Sequence, residues 1–386
     1  MARAETVDLR DVPVVDNHCH GILRSQGFDD LASWRQAFTE SSDPGMPREH
    51  VATTAFYRRM IRSLSAYFDC EPDEEAVFAA RAGWDATELT GELLRAANVE
   101  TLLVDTGFPP PEEVLPADEF AKLADCRTQP MLRLEILMQR LLAEHDSLGE
   151  VKEALAAALE DVRGQGYVAL KSIVAYRTGL NVGVWTEEEA EASLREYRRD
   201  AAGGSGRLAH KPLLDTLLHA AFAEAARQEV PVQFHCGYGD ADTDLRLGNP
   251  LHLRAVLERP EYRAMPVVLL HECYPYTREG GYLAAVYENA YLDLSYGIPL
   301  LGFGEMLSFT RQALGVAPTS KLLYSSDGIG VPELHWMSAA DGRRVLGLAL
   351  EELVAHGEMS IPEAEVAGES VLRGNALKLY RLHQRR

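Results

Sequence analysis

Cysteine is sparse in this 386-residue chain, with five residues (Cys19, Cys70, Cys126, Cys236 and Cys273) scattered along it. No CxxC pair occurs, which excludes a zinc ribbon and leaves no disulfide framework to expect. Positive charge is short as well: 38 Lys and Arg stand against 59 Asp and Glu, a formal net charge of −21. So acidic a chain repels phosphate backbones and anionic lipid, which argues against nucleic acid and membrane as partners. No apolar run approaches the ~18 residues that cross a bilayer. The leading MARAETVDLRDVPVVD lacks the apolar core of a signal peptide, so a reduced, cytoplasmic setting is expected. Internal repeats, low-complexity tracts and long charge blocks are missing too.

What is present is an alternation of short β-rich runs with helical stretches. The strands expected are 12–18, 99–105, 131–136, 167–173, 230–236, 266–271, 290–295 and 320–325. Most are continuous apolar runs, the pattern of parallel strands buried on both faces. Helical periodicity fills 146–166 and 212–229, while 198–211 reads as a mobile loop. Eight strands each followed by a crossover would close into a (β/α)₈ barrel or lie open in a doubly wound sheet. One domain over 1–386 is expected, with a helical insertion at 21–98 forming a lid or subunit interface.

The strand ends carry the chemistry. His18 and His20 lie two residues apart at the end of the first strand, so their side chains point the same way and can share a metal. The fifth strand ends at His235, the sixth at His271 and the eighth near Asp327. Such a set converges at the C-terminal rim of a barrel, which decides for the closed form. Lys171 on the fourth strand is costly unless paired or neutralised. It would either capture carbon dioxide, giving a carbamate that bridges two ions, or form a salt bridge with Asp327 or a substrate carboxylate. In such a cluster a divalent ion acidifies water, Asp327 acts as general base and then acid, and His271 binds a second ion or the developing oxyanion.

Loops beyond these strands would select substrate. Arg177 and Arg278 would grip a carboxylate or pair internally with Asp240, Asp242 or Glu279. Asp240 and Asp242 would recognise an amino group, and Tyr176, Tyr238 and Tyr274 line the same face. Cys19 and Cys236 read as packing residues, Cys273 as a candidate pocket residue, and His210, His252 and His335 as surface or loop residues.

The set HxH, Lys, His, His and Asp resembles the amidohydrolase superfamily, with His18, His20, Lys171, His235, His271 and Asp327 at its six ligand positions. More narrowly, ALKSIVAYRTGL, QFHCGYGDADTDLRLGNP and LLHECYPYTREGGYLA resemble the amidohydrolase domain of FluG-type proteins. The resemblance implies an enzyme with one or two zinc or manganese ions, N6-carboxylysine at Lys171 and hydrolysis of a small-molecule amide. Fusion of that domain to a glutamine-synthetase-like one in related proteins makes γ-glutamyl amides attractive. Two alternatives stand beside it. One is non-oxidative decarboxylation of a small acid at a single metal, and the other a metal-stabilised binding or signalling module without turnover. A homodimer is the base expectation for an enzyme of this size.

Overall fold

The computed structural model describes residues 6–382; positions 1–5 and 383–386 of the expected domain lie outside the described residues. Eight strands run in parallel, each hydrogen-bonded to the next in sequence. They are β1 (Val14–Cys19), β2 (Val99–Asp105), β3 (Arg127–Arg133), β4 (Ala169–Ser172), β5 (Val232–Phe234), β6 (Val267–Leu269), β7 (Ala290–Ser295) and β8 (Leu322–Ser325). With helices between them they form a nearly closed (β/α)₈ barrel, as expected. The seam between β8 and β1 is stitched beyond the strand ends. There Asp327 donates its backbone N–H to His18 O (3.0 Å), and His20 donates to Gly328 O (2.8 Å).

Period-two alternation sorts the strand residues into two cores. Val15, Leu103, Met131, Ala169, Val268 and Leu323 form a cluster together with Ala376, Leu377 and Tyr380 near the C-terminus. Their neighbours Val14, Leu102, Leu170, Val267 and Leu322 pack instead with the helices. The third strand is shifted from its expected place: it begins at Arg127 and ends at Arg133. Residues Leu134–Glu144 are helical, burying Leu134, Leu137, Met138, Leu141 and Leu142. That spacing overrides the β-like run LRLEI.

The insertion holds α1 (Leu31–Gln36), α2 (Ala55–Phe68), α3 (Glu74–Ala82) and α4 (Ala86–Ala96). Trp34, Phe38, Phe56, Tyr57, Met60 and Leu64 build a third core with Val331 and with Leu334 and Met337 of the helix Pro332–Ala355. A buried ion pair between Arg81 and Glu333 ties the same elements together. The insertion is therefore anchored beside the β8 end of the barrel. The segment 198–211 is a loop only over 203–210: the helix Glu187–Ala202 runs through its first part, and Lys211–Gln228 begins at its end. Arg207, between them, donates to Tyr176 O at 2.6 Å. No described helix is long and apolar enough to cross a membrane.

Candidate metal centre

β5 and β6 stop at Phe234 and Leu269, so His235 and His271 lie just past the last paired residues, on the rim with His18, His20 and Asp327. Hydrogen bonds set the tautomers of the first two imidazoles. Gln233 donates through Nε2 to Asn17 O, leaving its Oε1 to accept from His18 Nδ1 at 2.8 Å. His20 Nδ1 faces the Phe108 carbonyl at 2.7 Å, and a carbonyl can only accept. Both rings therefore carry their proton on Nδ1 and present a lone pair at Nε2. Those Nε2 atoms lie 3.5 and 3.6 Å from Asp327 Oδ1. His18, His20 and Asp327 thus bring three ligand atoms within 4.8 Å of one another. Two neutral imidazoles and a carboxylate, oriented from behind, suit a divalent ion such as zinc.

Burial, with the Lys171 charge next, holds the His18 imidazole well below its ordinary pKa. Burial likewise lowers His235, and it brings His271 down to about 3. Neutral rings are what metal binding requires. Asp327 Oδ2 accepts from the Tyr238 hydroxyl at 2.6 Å and faces His271 Nδ1 at 3.3 Å. Its backbone is left-handed, at φ 50°, as are His271, Glu272 and Cys273 at φ 61°, 41° and 54°. Such conformations cost about 1–3 kcal/mol each and persist where surroundings fix them. Here Asp293 Oδ2 accepts the His271 N–H at 3.0 Å and Glu272 Oε2 accepts from Ser295 N at 2.8 Å.

Lys171 is buried, with Nζ 3.3 Å from His18 Nε2. Burial foremost pushes its amine down to about 8, against the pull of Asp105. His235 donates through Nε2 to Tyr238 O at 2.5 Å, and its ring centroid lies 4.5 Å from that of His271. Lys171 and His271 thus each approach one member of the three-ligand group at 3.3 Å, and His235 packs against His271 in the same cavity.

The cavity measures about 250 Å³ and is lined by all six predicted metal-site residues. Tyr176, Arg177, Tyr238, Asp240 and Asp242 line it as well, as expected. Tyr274 and Arg278 are not among its lining residues. Arg278 is exposed on the helix Thr277–Val286, and Tyr274 packs against the barrel core while its carbonyl accepts the Tyr238 N–H. Cys273 is buried in the core rather than lining the pocket. His335, read as a surface residue, is buried behind the site, with Nδ1 3.8 Å from Asp16 Oδ2.

Sequence reasoning missed Glu40, Phe108, Arg133 and Arg207, which also line the cavity. Arg133 ends β3 and pairs with Asp105 at the end of β2 at 2.5 Å. Placing the third strand four residues earlier would have put both at the rim. Glu40 and Phe108 carried no sequence signal, and Arg207 sat in the loop between two helices.

Asp16 clamps the seam. Its Oδ1 accepts from His18 N at 3.3 Å and Ser326 N at 2.9 Å, joining the residues that flank both halves of the metal group. Asp16→Ala leaves two buried N–H groups unpaired, which costs about 2 kcal/mol. Because the clamp orients ligands, metal affinity should fall about 10–100-fold, read by competition with a chromogenic chelator. Unchanged affinity would show that the clamp serves the fold alone.

The family model for amidohydrolases matches residues 15–382. Protein fluG of Emericella nidulans is 28% identical over 400 residues, covering 96% of this chain and 46% of that protein. The chain thus spans about half the length of this curated relative. A crystal structure from Lactobacillus casei ATCC 334, to which a metal-dependent hydrolase function has been ascribed, is 29% identical with a TM-score of 0.87, covering 98% of each chain. Uronate isomerase of Thermotoga maritima superposes with a TM-score of 0.66 at 17% identity over 96% of this chain and 95% of that one, a likeness of fold alone. With its strand-end histidines and Asp327 set on this barrel, the chain belongs to the amidohydrolase family.

Proposed function

We propose that this protein is a metal-dependent hydrolase that cleaves a C–N amide bond of a small molecule, γ-glutamyl amides being the first to screen. The observation that carries this reading is the pair of imidazoles whose Nε2 lone pairs are turned toward Asp327 within one cavity. Zinc or manganese held by His18, His20 and Asp327 would supply Lewis acidity and acidify a water to near neutrality. Asp327 Oδ2 would serve as the group that holds a proton drawn from water and returns it to the leaving amine. The Tyr238 hydroxyl, 2.6 Å away, fixes the carboxylate's orientation, and His271 Nδ1 faces the same oxygen at 3.3 Å.

Lys171 extends the site. Its buried amine can add to carbon dioxide, forming an N–C bond and releasing one proton, so that N6-carboxylysine offers two oxygens. With His235 and His271 it would hold a second ion. Lys171→Ala should then lower bound metal from about two ions per chain to one or fewer, measured by elemental mass spectrometry on protein expressed with bicarbonate and zinc or manganese. About one ion in both proteins would remove the bridge and reassign Lys171.

A single-metal reading, non-oxidative decarboxylation of a small acid, is favoured by one observation: of the predicted histidine and aspartate ligands, His18, His20 and Asp327 form the group whose atoms all lie within 4.8 Å of one another. Turnover in ¹⁸O-water decides between the two. Label in the product acid supports hydrolysis, while release of carbon dioxide without label overturns it. A silent binding module is the third possibility, and it gains only if Asp327→Asn leaves cellular function unchanged.

A further inference from the structure

The cavity walls carry two uncommitted charges of opposite sign. Arg133 and Arg207 are neutralised, by Asp105 at 2.5 Å and by Asp242 at 2.7 Å. Arg177 lines the same cavity, yet among the described residues it has no acidic partner, and its buried Nε has no hydrogen-bond partner. A half-buried guanidinium left in this state is an open seat for a carboxylate, since its planar donors match the two oxygens.

The acidic side is different in kind. Glu40, which follows α1 in the insertion, lines the cavity together with Asp240 from the loop after β5, and burial, with Asp240 next, pushes its carboxyl well above the usual range. Neither has a Lys or Arg partner among the described residues. Two carboxyl groups on one cavity wall offer a cation acceptors from both sides. Both lie at the junction of the metal cavity with an adjoining chamber of about 770 Å³. That chamber is lined by apolar residues such as Leu23, Phe28 and Val331. A metal ion at His18, His20 and Asp327 would leave this second pair of carboxylates for the substrate.

We infer that the substrate is zwitterionic, an amide whose carboxylate sits on Arg177 and whose ammonium group sits between Glu40 and Asp240. Glu40 is then a specificity residue supplied by the helical insertion. The inference rests on this cavity being the substrate site of the proposed hydrolase, and it narrows that reading to amides of amino acids. The two groups of opposite charge align the substrate before any bond breaks, and the adjoining apolar chamber takes the uncharged remainder.

Calorimetric titration of the zinc-loaded protein with L-glutamate, glutarate and 4-aminobutyrate tests this directly. Glutarate lacks the ammonium group, and 4-aminobutyrate lacks the α-carboxylate. Each should bind at least about tenfold more weakly than glutamate, the weight of one charge-assisted contact. Glu40→Gln should abolish the preference for glutamate over glutarate, and Arg177→Met the preference over 4-aminobutyrate. Asp240→Asn provides an independent check on the acidic seat should Glu40→Gln fold poorly. Equal binding of glutamate and glutarate by the wild type, a preference that survives both acidic-seat variants, or no binding of any probe overturns the inference. Binding of glutamate without hydrolysis of its amides would instead sink the hydrolase reading alone. Turnover of neutral amides with no dependence on an amino group would leave hydrolysis standing and remove the zwitterion.

Discussion

Asp327→Asn should lower kcat by about 10³-fold while the protein stays folded and still binds metal. The substitution keeps the shape of the side chain, and asparagine accepts the left-handed backbone at φ 50° that position 327 requires. The amide oxygen can still face His18 and His20, while the amide NH2 takes the other position and donates to the Tyr238 oxygen, so that contact reverses direction but survives. What is lost is the ability to take a proton from water and return it to the leaving nitrogen. General acid–base work of this kind contributes about 10²–10⁴-fold. The check is steady-state kinetics on the best amide found in screening, with metal content measured on the same samples. A loss below tenfold with metal retained would move the proton transfer to another group, and the buried Lys171 amine would become the first suspect.

Stripping the metal should be more drastic for activity than for the fold. Lewis acidity contributes several kcal/mol to the transition state, so prolonged dialysis against a chelator should cost about 10³-fold or more in rate, restored by zinc or manganese. The barrel does not depend on the ion to form its core. Val15, Leu103, Met131, Val268 and Leu323 fill one cluster, and the helices cover the other face of the strands. Metal should therefore add stability only through its affinity, about 4 kcal/mol when free ion stands 1,000-fold above Kd. Thermal unfolding should shift upward by several degrees with metal and remain cooperative without it. Full activity in chelator would remove the metal from the mechanism, and loss of the folded state on stripping would assign the ion a structural role instead.

The barrel was legible because buried parallel strands leave continuous apolar runs, and β2 and β7 fell where those runs predict. β3 was misplaced because Leu134, Leu137, Met138 and Leu141 satisfy a helical spacing that a short window reads as strand. The error hid Arg133, which ends the true strand and lines the cavity. All six strand-end residues singled out for metal binding lie around one cavity, since a barrel leaves the ends of its strands nowhere else to converge. The loop residues divided. Tyr176, Arg177, Tyr238, Asp240 and Asp242 line the cavity, but Tyr274 and Arg278 do not: Tyr274 packs on the core and Arg278 is exposed on the helix Thr277–Val286. Glu40 could not be found by any local pattern. It reaches the site only because the insertion docks on Val331, Leu334 and Met337, a contact between segments roughly three hundred residues apart in sequence.

The most direct test of the account is the metal content of the wild type beside that of a His18→Ala/His20→Ala variant. Both should be expressed with added zinc and desalted identically. The account predicts at least one ion per wild-type chain and a content near zero in the variant, with circular dichroism showing the barrel intact in both. A wild type that retains no ion, or a variant that binds as much as the wild type, would contradict a centre built on His18, His20 and Asp327.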